Sequence, residues 1–362
     1  MTAIHQFVPS LAPRDAVGTH YLAMQAIFRA AGYRSDIYAL EAKEEFRKLA
    51  RPFRSFRGAK RGEPTWLLYH SSVGTPVGDF VAARPEPLIV DFHNITPAHY
   101  FARYEPHLAG LMSLGRRQLQ KLARRADLGL ADSAFNAAEL DGLGYPRTAV
   151  VPILLDVTTL DVPPDPAVSA RLRAAKAAGG IDLLFVGRIT PNKAQHDLVK
   201  MLAAYRRVHD PQARLHLVGG SSSEGYLTAL TKFVAALGLT DCVDVVGGVS
   251  AATLAAYWEH ADVFVVASEH EGFCVPLLEA MHHGVPIVAF ATAAVPETLA
   301  DGGLVLPTKD AATFATGVAR VVDDLALRDQ LVRAGRARLA AFDVARSRQR
   351  LLDAVVPVVG AP

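Results

Sequence analysis

Cysteine is almost missing from this chain: Cys242 and Cys274 are the only two in 362 residues. Two give neither a disulfide framework nor zinc-finger spacing, so a reducing cytoplasm is the expected compartment. No apolar run reaches the roughly eighteen residues that a membrane span needs. The opening MTAIHQFVPSLAPRD lacks the basic end, apolar core and small-residue cleavage site of a secretory leader. No Gly-x-Ser-x-Gly stretch is present, which leaves a serine hydrolase without its nucleophile turn. Short repeats and low-complexity tracts are absent. The net charge is only +2 and no nucleic-acid motif is recognisable, so no nucleic-acid partner is expected.

What is present suits a well-packed globular protein, with 51% hydrophobic and 20% charged residues. The length makes two domains the natural division. Charge is unevenly spread. Residues 1 to 130 hold 18 Lys and Arg against 11 Asp and Glu, an excess of +7, and the remainder carries −5. A positive first half can face an anionic membrane surface or an acidic substrate, or its cations can simply be solvated.

Apolar strands alternate with amphipathic helices in two rounds. IHQFVPS, SDIYAL, TWLLYH, LIVDFH and LGLADS read as buried strands of a first round, with YLAMQAIFRAAG as a helix closed by Gly32. IDLLFVGR, ARLHLVGG, VDVVGG, DVFVVAS, PIVAFA and GLVLP form a second. Between them, Leu198, Met201, Leu202 and Tyr205 recur at the spacing of one buried helix face. Alternation implies parallel sheets covered on both faces, so the expected class is α/β with two doubly wound, Rossmann-like domains facing a deep cleft. The boundaries expected are 1–157 for the first domain and 158–342 for the second. A last helix at about 343–362 crosses back onto the first.

Ligands of such folds bind beyond the carboxyl ends of the strands. The stretch SEHEGFCVPLLEAMHHGVPIV begins there, after DVFVVAS. Pro276 suits the first position of a helix, so the amides of Phe273, Cys274 and Val275 point out of its start, ready for phosphate or sugar oxygens. Glu271 stands before this amide cluster and Glu279 stands just inside the helix. A diphosphate on the amides with a sugar on each carboxylate would fit, because carboxylates accept hydrogen bonds from hydroxyl pairs. Either glutamate alone would pass as an ordinary helix-start charge. In FVGRITPNK, Gly187 ends a strand, and Arg188 and Lys193 follow as cations suited to a departing diphosphate.

GRITPNK, EHEGFCVPLLEAMHHGVPIV with seven residues between its glutamates Glu271 and Glu279, and DAVGTH at the first strand end together resemble glycosyltransferase family 4. These are retaining transferases with the GT-B twin-Rossmann fold. LLYHSSVGTP and VDFHNITPAHYF look like a subgroup often placed in polysaccharide assembly. The resemblance implies a hexosyltransferase that moves a sugar from a GDP- or UDP-sugar to a hydroxyl of a glycan or lipid-linked acceptor. Glu271 would hold donor-sugar hydroxyls and Glu279 the ribose, while Arg188 and Lys193 would neutralise the diphosphate. Gly272, Phe273, Cys274 and Val275 would line the phosphate and sugar. Gly247, Gly248 and Val249 would lie near the base, Gly18 would let its loop approach the diphosphate or the acceptor, and His93 would sit by the reacting carbon. No side chain stands out as a covalent nucleophile, so departure and attack on one face of the sugar are expected. Cys274 and Ala194 stand where glycine is usual, His282 and His283 replace smaller residues, and VGTH carries one glycine where two are common.

His270, His282, His283 and Glu271 could suggest a metal. The adjacent His282 and His283 point to different helix faces, however, and no i, i+4 histidine pair exists, so no metal and no cofactor are expected. The stretches KEEFRKLARPFRSFRGAKR and GRRQLQKLARR interleave cations with Phe and Leu. They suit peripheral contact with the inner face of a membrane, or a solvated surface. Two rival readings are a sugar-nucleotide epimerase on the same twin-Rossmann fold and a non-catalytic nucleotide-sugar-binding protein.

Overall fold

A computed structural model of the protein describes residues 1–12, 16–59 and 61–362. The chain divides into two units, the first made of Met1–Ala102, Pro106–Leu155 and Phe342–Pro362, the second of Arg103–Glu105 and Asp156–Ala341.

In the first unit the order is β1 (Ala3–Leu11), α1 (Ala16–Ala30), β2 (Ile37–Ala42), β3 (Ala50–Pro52), β4 (Thr65–Ser71), α2 (Pro76–Ala82), β5 (Leu88–Phe92), α3 (His99–Ala102), α4 (Pro106–Leu122), β6 (Leu128–Ala131), α5 (Ala134–Gly142) and β7 (Thr148–Val150). All seven strands run parallel in the order β3-β2-β1-β4-β5-β6-β7. Successive side chains face opposite sides of a strand. Leu67 and Tyr69 of β4 therefore enter one core with Phe7, Val90 and Phe92 under α2 and α4. Leu68 enters the other with Ile4, Ile89 and Leu130, under Met24 and Phe28 of α1.

The second unit holds α6 (Pro166–Ala177), β8 (Asp182–Val186), α7 (Gln195–Val208), β9 (Arg214–Val218), α8 (Glu224–Ala236), β10 (Val243–Gly247), α9 (Ala251–His260), β11 (Val263–Val266), α10 (Val275–His283), β12 (Ile287–Phe290), α11 (Val295–Leu299), β13 (Leu304–Leu306), α12 (Ala311–Asp323) and α13 (Leu325–Leu339). Its sheet is also parallel, ordered β10-β9-β8-β11-β12-β13. Leu198, Met201, Leu202 and Tyr205, the stripe read from the sequence, pack in the core below α7. The final helix, α14 (Val344–Val359), belongs to the first unit, where Leu351 and Val355 join the core of Ile4 and Met24. Tyr33 there donates from its hydroxyl to the carbonyl of Gly360 at 2.7 Å.

Two elements of KEEFRKLARPFRSFRGAKR differ from the solvated helix and loop expected. Ala50–Pro52 forms an edge strand, where a proline is tolerated. Phe53 and Phe56 turn into the core, so these two rings are not available to lipid, while Phe46 is half-buried. Arg47, Lys48, Arg51, Arg54 and Arg57 remain exposed. Gly18 also differs from expectation: it is the third residue of α1 and buried, rather than part of an open loop. The turn expected around RDAVGTH begins at residues 14 and 15, which lie outside the described residues. No helix among the described residues is long and apolar enough to cross a membrane.

Candidate active site

In each sheet the strand order reverses direction once, between β1 and β4 and between β8 and β11. A reversal of this kind opens a crevice at the strands' carboxyl ends. Because β8 and β11 pair directly through Leu183–Val263 and Leu184–Phe264, the loops that follow them emerge side by side. Those loops carry Arg188 and Lys193 on one hand and Glu271 on the other.

The structure brings Lys193 and Glu271 into direct contact: the lysine Nζ donates to Glu271 Oε2 at 2.6 Å. Both side chains are largely withdrawn from solvent, at 20% and 6% exposure. The backbone joins the same two loops, with the Glu269 amide donating to the Asn192 carbonyl at 2.8 Å and Asn192 Nδ2 to the His270 carbonyl at 3.3 Å. Lys309 adds an ion pair to Asp197 at 2.6 Å and another to Glu269, tying the start of α7 to the loop after β11. Arg188 is exposed. Its carbonyl accepts from Gln195 at 2.9 Å, while its guanidinium makes no ion pair among the described residues. Gly219 keeps this edge tight, since a Cβ there would lie 2.0 Å from the Gly187 carbonyl oxygen.

Cys274 caps α10 in the left-handed conformation, at φ 70° and ψ 68°. Ala194 caps α7 in the same region, at φ 50° and ψ 41°. These are the two places where glycine is usual in the resembled family, and the geometry explains why: only glycine adopts it without a Cβ penalty. Thr298 donates to the Phe273 carbonyl at 2.7 Å, and the Ala294 amide to the Glu271 carbonyl at 3.3 Å. The carbonyls of this turn are thus held on the protein side, while the first amides of α10 have no partner within their own helix. Burial pushes the Cys274 thiol well above its ordinary range, and the Glu271 charge adds to that.

Glu279, one turn into α10, ends in a buried Oε2 with no hydrogen-bond partner. Burial pushes its carboxyl up to about 7. Beyond the neighbouring strand ends, Gly247, at φ 78°, borders an apolar cavity of about 470 Å³ lined also by Gly219, Ser221, Val245 and Leu227. Gly248 and Val249 follow on the same turn.

His282 and His283 are placed away from this site. His282 pairs with Asp161 at 2.7 Å and His283 stacks on Trp258.

His93 follows β5 in the first unit. It is no open loop residue: its ring is buried, Nδ1 lies 3.0 Å from Asp132 and Nε2 lies 2.9 Å from His70 Nδ1. Asp91 and His20 complete a group the sequence reading missed. Ligand atoms of His20, His70, Asp91 and His93 all fall within 4.8 Å of one another. That spacing suits a cation, but the geometry does not. The rings of His70 and His93 lie within 8° of one plane, with centroids 5.2 Å apart. With nitrogens 2.9 Å apart, this places one N–H in line with the other's lone pair, so the two lone pairs do not converge on a common ion. His20 Nδ1 accepts from the Leu154 amide at 3.0 Å, which leaves its proton on Nε2, the atom that would have to ligate.

Residues 171–338 match the family model of the glycosyl transferases group 1. A D-inositol 3-phosphate glycosyltransferase of Geodermatophilus obscurus is 33% identical over 251 residues, covering 67% of this chain and 54% of its own length. A GDP-mannose-dependent alpha-(1-6)-phosphatidylinositol monomannoside mannosyltransferase of Mycolicibacterium smegmatis is 29% identical over 224 residues, 59% of this chain and 58% of its own. The chain spans little more than half the length of these curated relatives. Among solved structures, sucrose-phosphate synthase of Thermosynechococcus elongatus superposes with a TM-score of 0.75 at 20% identity over 100% of both chains. HepE of Anabaena, solved with UDP-glucose, gives 0.74 at 18% identity over 98% of this chain and 99% of its own. At such identities these likenesses show the two-domain Rossmann-like fold.

Proposed function

The chain belongs to the group 1 glycosyltransferases, and from that premise we propose that it is a retaining hexosyltransferase moving a sugar from a nucleotide-diphosphate sugar to a hydroxyl of a glycan or lipid-linked acceptor. The observation that carries this reading is the Lys193–Glu271 pair at 2.6 Å. It sits where the second sheet reverses, between the loop bearing Arg188 and the amide-rich start of α10.

In this reading the diphosphate lies against the amides of Cys274 and Val275. Arg188 offers a planar fork for two oxygens and Lys193 a point charge. Gly272 and Phe273 line the sugar, and Glu271 accepts from its hydroxyls while holding Lys193 in position. Glu279 accepts from the ribose hydroxyls, which gives its buried oxygen the partner it lacks in the chain alone. The base lies by Gly247, Gly248 and Val249. The sugar–phosphate bond breaks towards these cations, and their stabilisation of the developing charge contributes most of the rate. The acceptor hydroxyl attacks from the face the diphosphate leaves and gives its proton to a phosphate oxygen, so the anomeric configuration is kept. Gly18 and His93 belong to the acceptor side at the strand ends of the first unit, His93 through its place in the fold rather than as an open imidazole. The exposed arginines of residues 47–57 suit an anionic acceptor or an acidic membrane face. Neither a metal nor an organic cofactor enters the scheme.

The test is a thermal-shift screen against UDP- and GDP-sugars, then product analysis with the donors that stabilise the chain. Transfer with the donor's anomeric configuration kept supports the reading. Binding without turnover on any acceptor supports the non-catalytic rival, and conversion of the donor alone supports the epimerase.

A further inference from the structure

The buried group in the first unit has an order of hydrogens that its partners assign. Gln6 Nε2 donates to the Tyr21 carbonyl at 3.1 Å, so Gln6 Oε1 is the atom facing His70 Nε2 at 2.8 Å. His70 therefore carries its proton on Nε2 and offers a bare Nδ1. His93 Nε2 must supply the hydrogen between the two rings, with Asp91 Oδ2 also 3.4 Å away. His20 Nε2 donates to Asp91 at 3.1 Å. One position is then left. Between His93 Nδ1 and the two oxygens of Asp132, at 3.0 and 3.2 Å, lies a proton belonging to both residues.

The groups facing this proton come from four elements: His20 and Tyr21 of α1, His70 of β4, Asp91 of β5, and Asp132 after β6. Burial holds the His70 ring down at about 3, consistent with its neutral form. Burial pushes Asp132 up, whereas Asp91, which burial alone would also raise, is held well below its ordinary range by the His93 charge and by the hydrogen bond from His20. Asp91 is the fixed anion of the group and Asp132 the member that exchanges a proton with His93.

We infer that Asp132 is a positioning residue for the proposed transfer: by sharing a proton with His93 Nδ1 it locks the ring, and with it the turn beyond β5, where Asn94 follows at φ 67°. This rests on the transfer reading above, since it gives the strand ends of the first unit the acceptor. The turn stands at the carboxyl end of the sheet, beside the β1–β4 reversal, where such folds place ligands. Without the Asp132 carboxylate, His93 is free to adopt its other tautomer, and its line to His70 is lost. Asp132 touches no substrate in this scheme; it acts through His93.

Histidine-ring 15N NMR of the full chain tests the proton directly, with the wild type, Asp132→Asn and Asp132→Glu compared from pH 6 to 9. The wild type is expected to show one ring with slowly exchanging hydrogens on both nitrogens. Asp132→Asn loses the Nδ1 signal and Asp132→Glu keeps it. A bare Nδ1 on His93 in the wild type, an unchanged spectrum in Asp132→Asn, or a stoichiometric metal ion in the purified protein overturns the inference. With UDP-glucose or GDP-mannose as donor, Asp132→Asn lowers kcat on the order of tenfold or more, as when an orienting carboxylate is lost from a histidine. Donor KM stays within about twofold, because the donor groups lie in the other unit. A lower melting temperature with unchanged kcat reduces Asp132 to a structural role and sinks the proposal. If neither donor is turned over, it is the transfer reading that fails, and the NMR comparison still decides the proton.

Discussion

Lys193 Nζ and Glu271 Oε2 meet at 2.6 Å although 78 positions separate them in sequence. Removing Lys193 leaves a carboxylate that is 6% exposed without its cation, and an orphaned buried charge is costly. Lys193→Ala is therefore expected to lower stability by about 3 kcal/mol, and Lys193→Ala with Glu271→Gln to recover part of it. Urea denaturation of the two variants and the wild type checks this. In turnover, Lys193→Ala or Arg188→Ala should lower kcat by on the order of 10².

Glu279 gives the pH dependence. Its carboxyl is raised to about 7 by burial, with Oε2 unpaired. On the proposed reading the ribose hydroxyls donate to the ionised form, so donor binding favours release of that proton. Affinity for UDP-glucose should rise with pH from about 5.5 to 8, by up to tenfold per unit below 7. Glu279→Gln should bind more weakly and lose the dependence, and calorimetry at several pH values measures both. The stability sign is opposite. The folded chain holds this proton more tightly than the unfolded one, so the contribution is fully present below about 4.5 and is lost as pH rises through 7. Glu279→Gln should consequently raise the melting temperature more at pH 8 than at pH 5.

Ala194 and Cys274 are strained caps. Ala194→Gly should stabilise the chain by about 1 kcal/mol, since a Cβ in the left-handed region costs about 1–2 kcal/mol against a smaller loss of chain entropy. Cys274→Gly should gain less, because the sulfur packs in the core with Leu277 and Val295. The midpoints of urea unfolding compare them.

Both thiols should be inert in the folded chain. Cys242 and Cys274 are buried, and burial raises both thiols, so thiolate is scarce. At pH 8 a disulfide reagent should label two thiols per chain only after denaturation. Rapid native labelling would contradict the placement of Cys274.

The alternation of apolar strands with amphipathic helices was legible because both faces of each sheet are covered, which makes strands such as FVV and LIV continuous apolar runs. The edge strands of the first sheet were not. Ala50–Pro52 and Thr148–Val150 are short and half exposed, and they leave no such pattern. The helices α12 and α13 passed unread for a different reason: they follow the last strand and no motif marks them. In the site, Lys193 and Glu271 were legible as types at strand ends, but their contact depends on β8 pairing with β11, which only the topology supplies. The His20, His70, Asp91, His93 and Asp132 group was hidden more deeply. Its members come from four elements, and Asp132 reads in sequence as the residue before an N-cap serine, Ser133.

On the proposed reading Arg188, Lys193 and the start of α10 hold a sugar nucleotide's diphosphate. Titration calorimetry of UDP-glucose and GDP-mannose against the wild type and the Arg188→Ala, Lys193→Ala double variant tests it most directly. At least one donor should bind the wild type saturably, and the double variant should lose about 3 kcal/mol, roughly a hundredfold in affinity. Equal affinity for the two proteins, or no binding of either donor to the wild type, would contradict it.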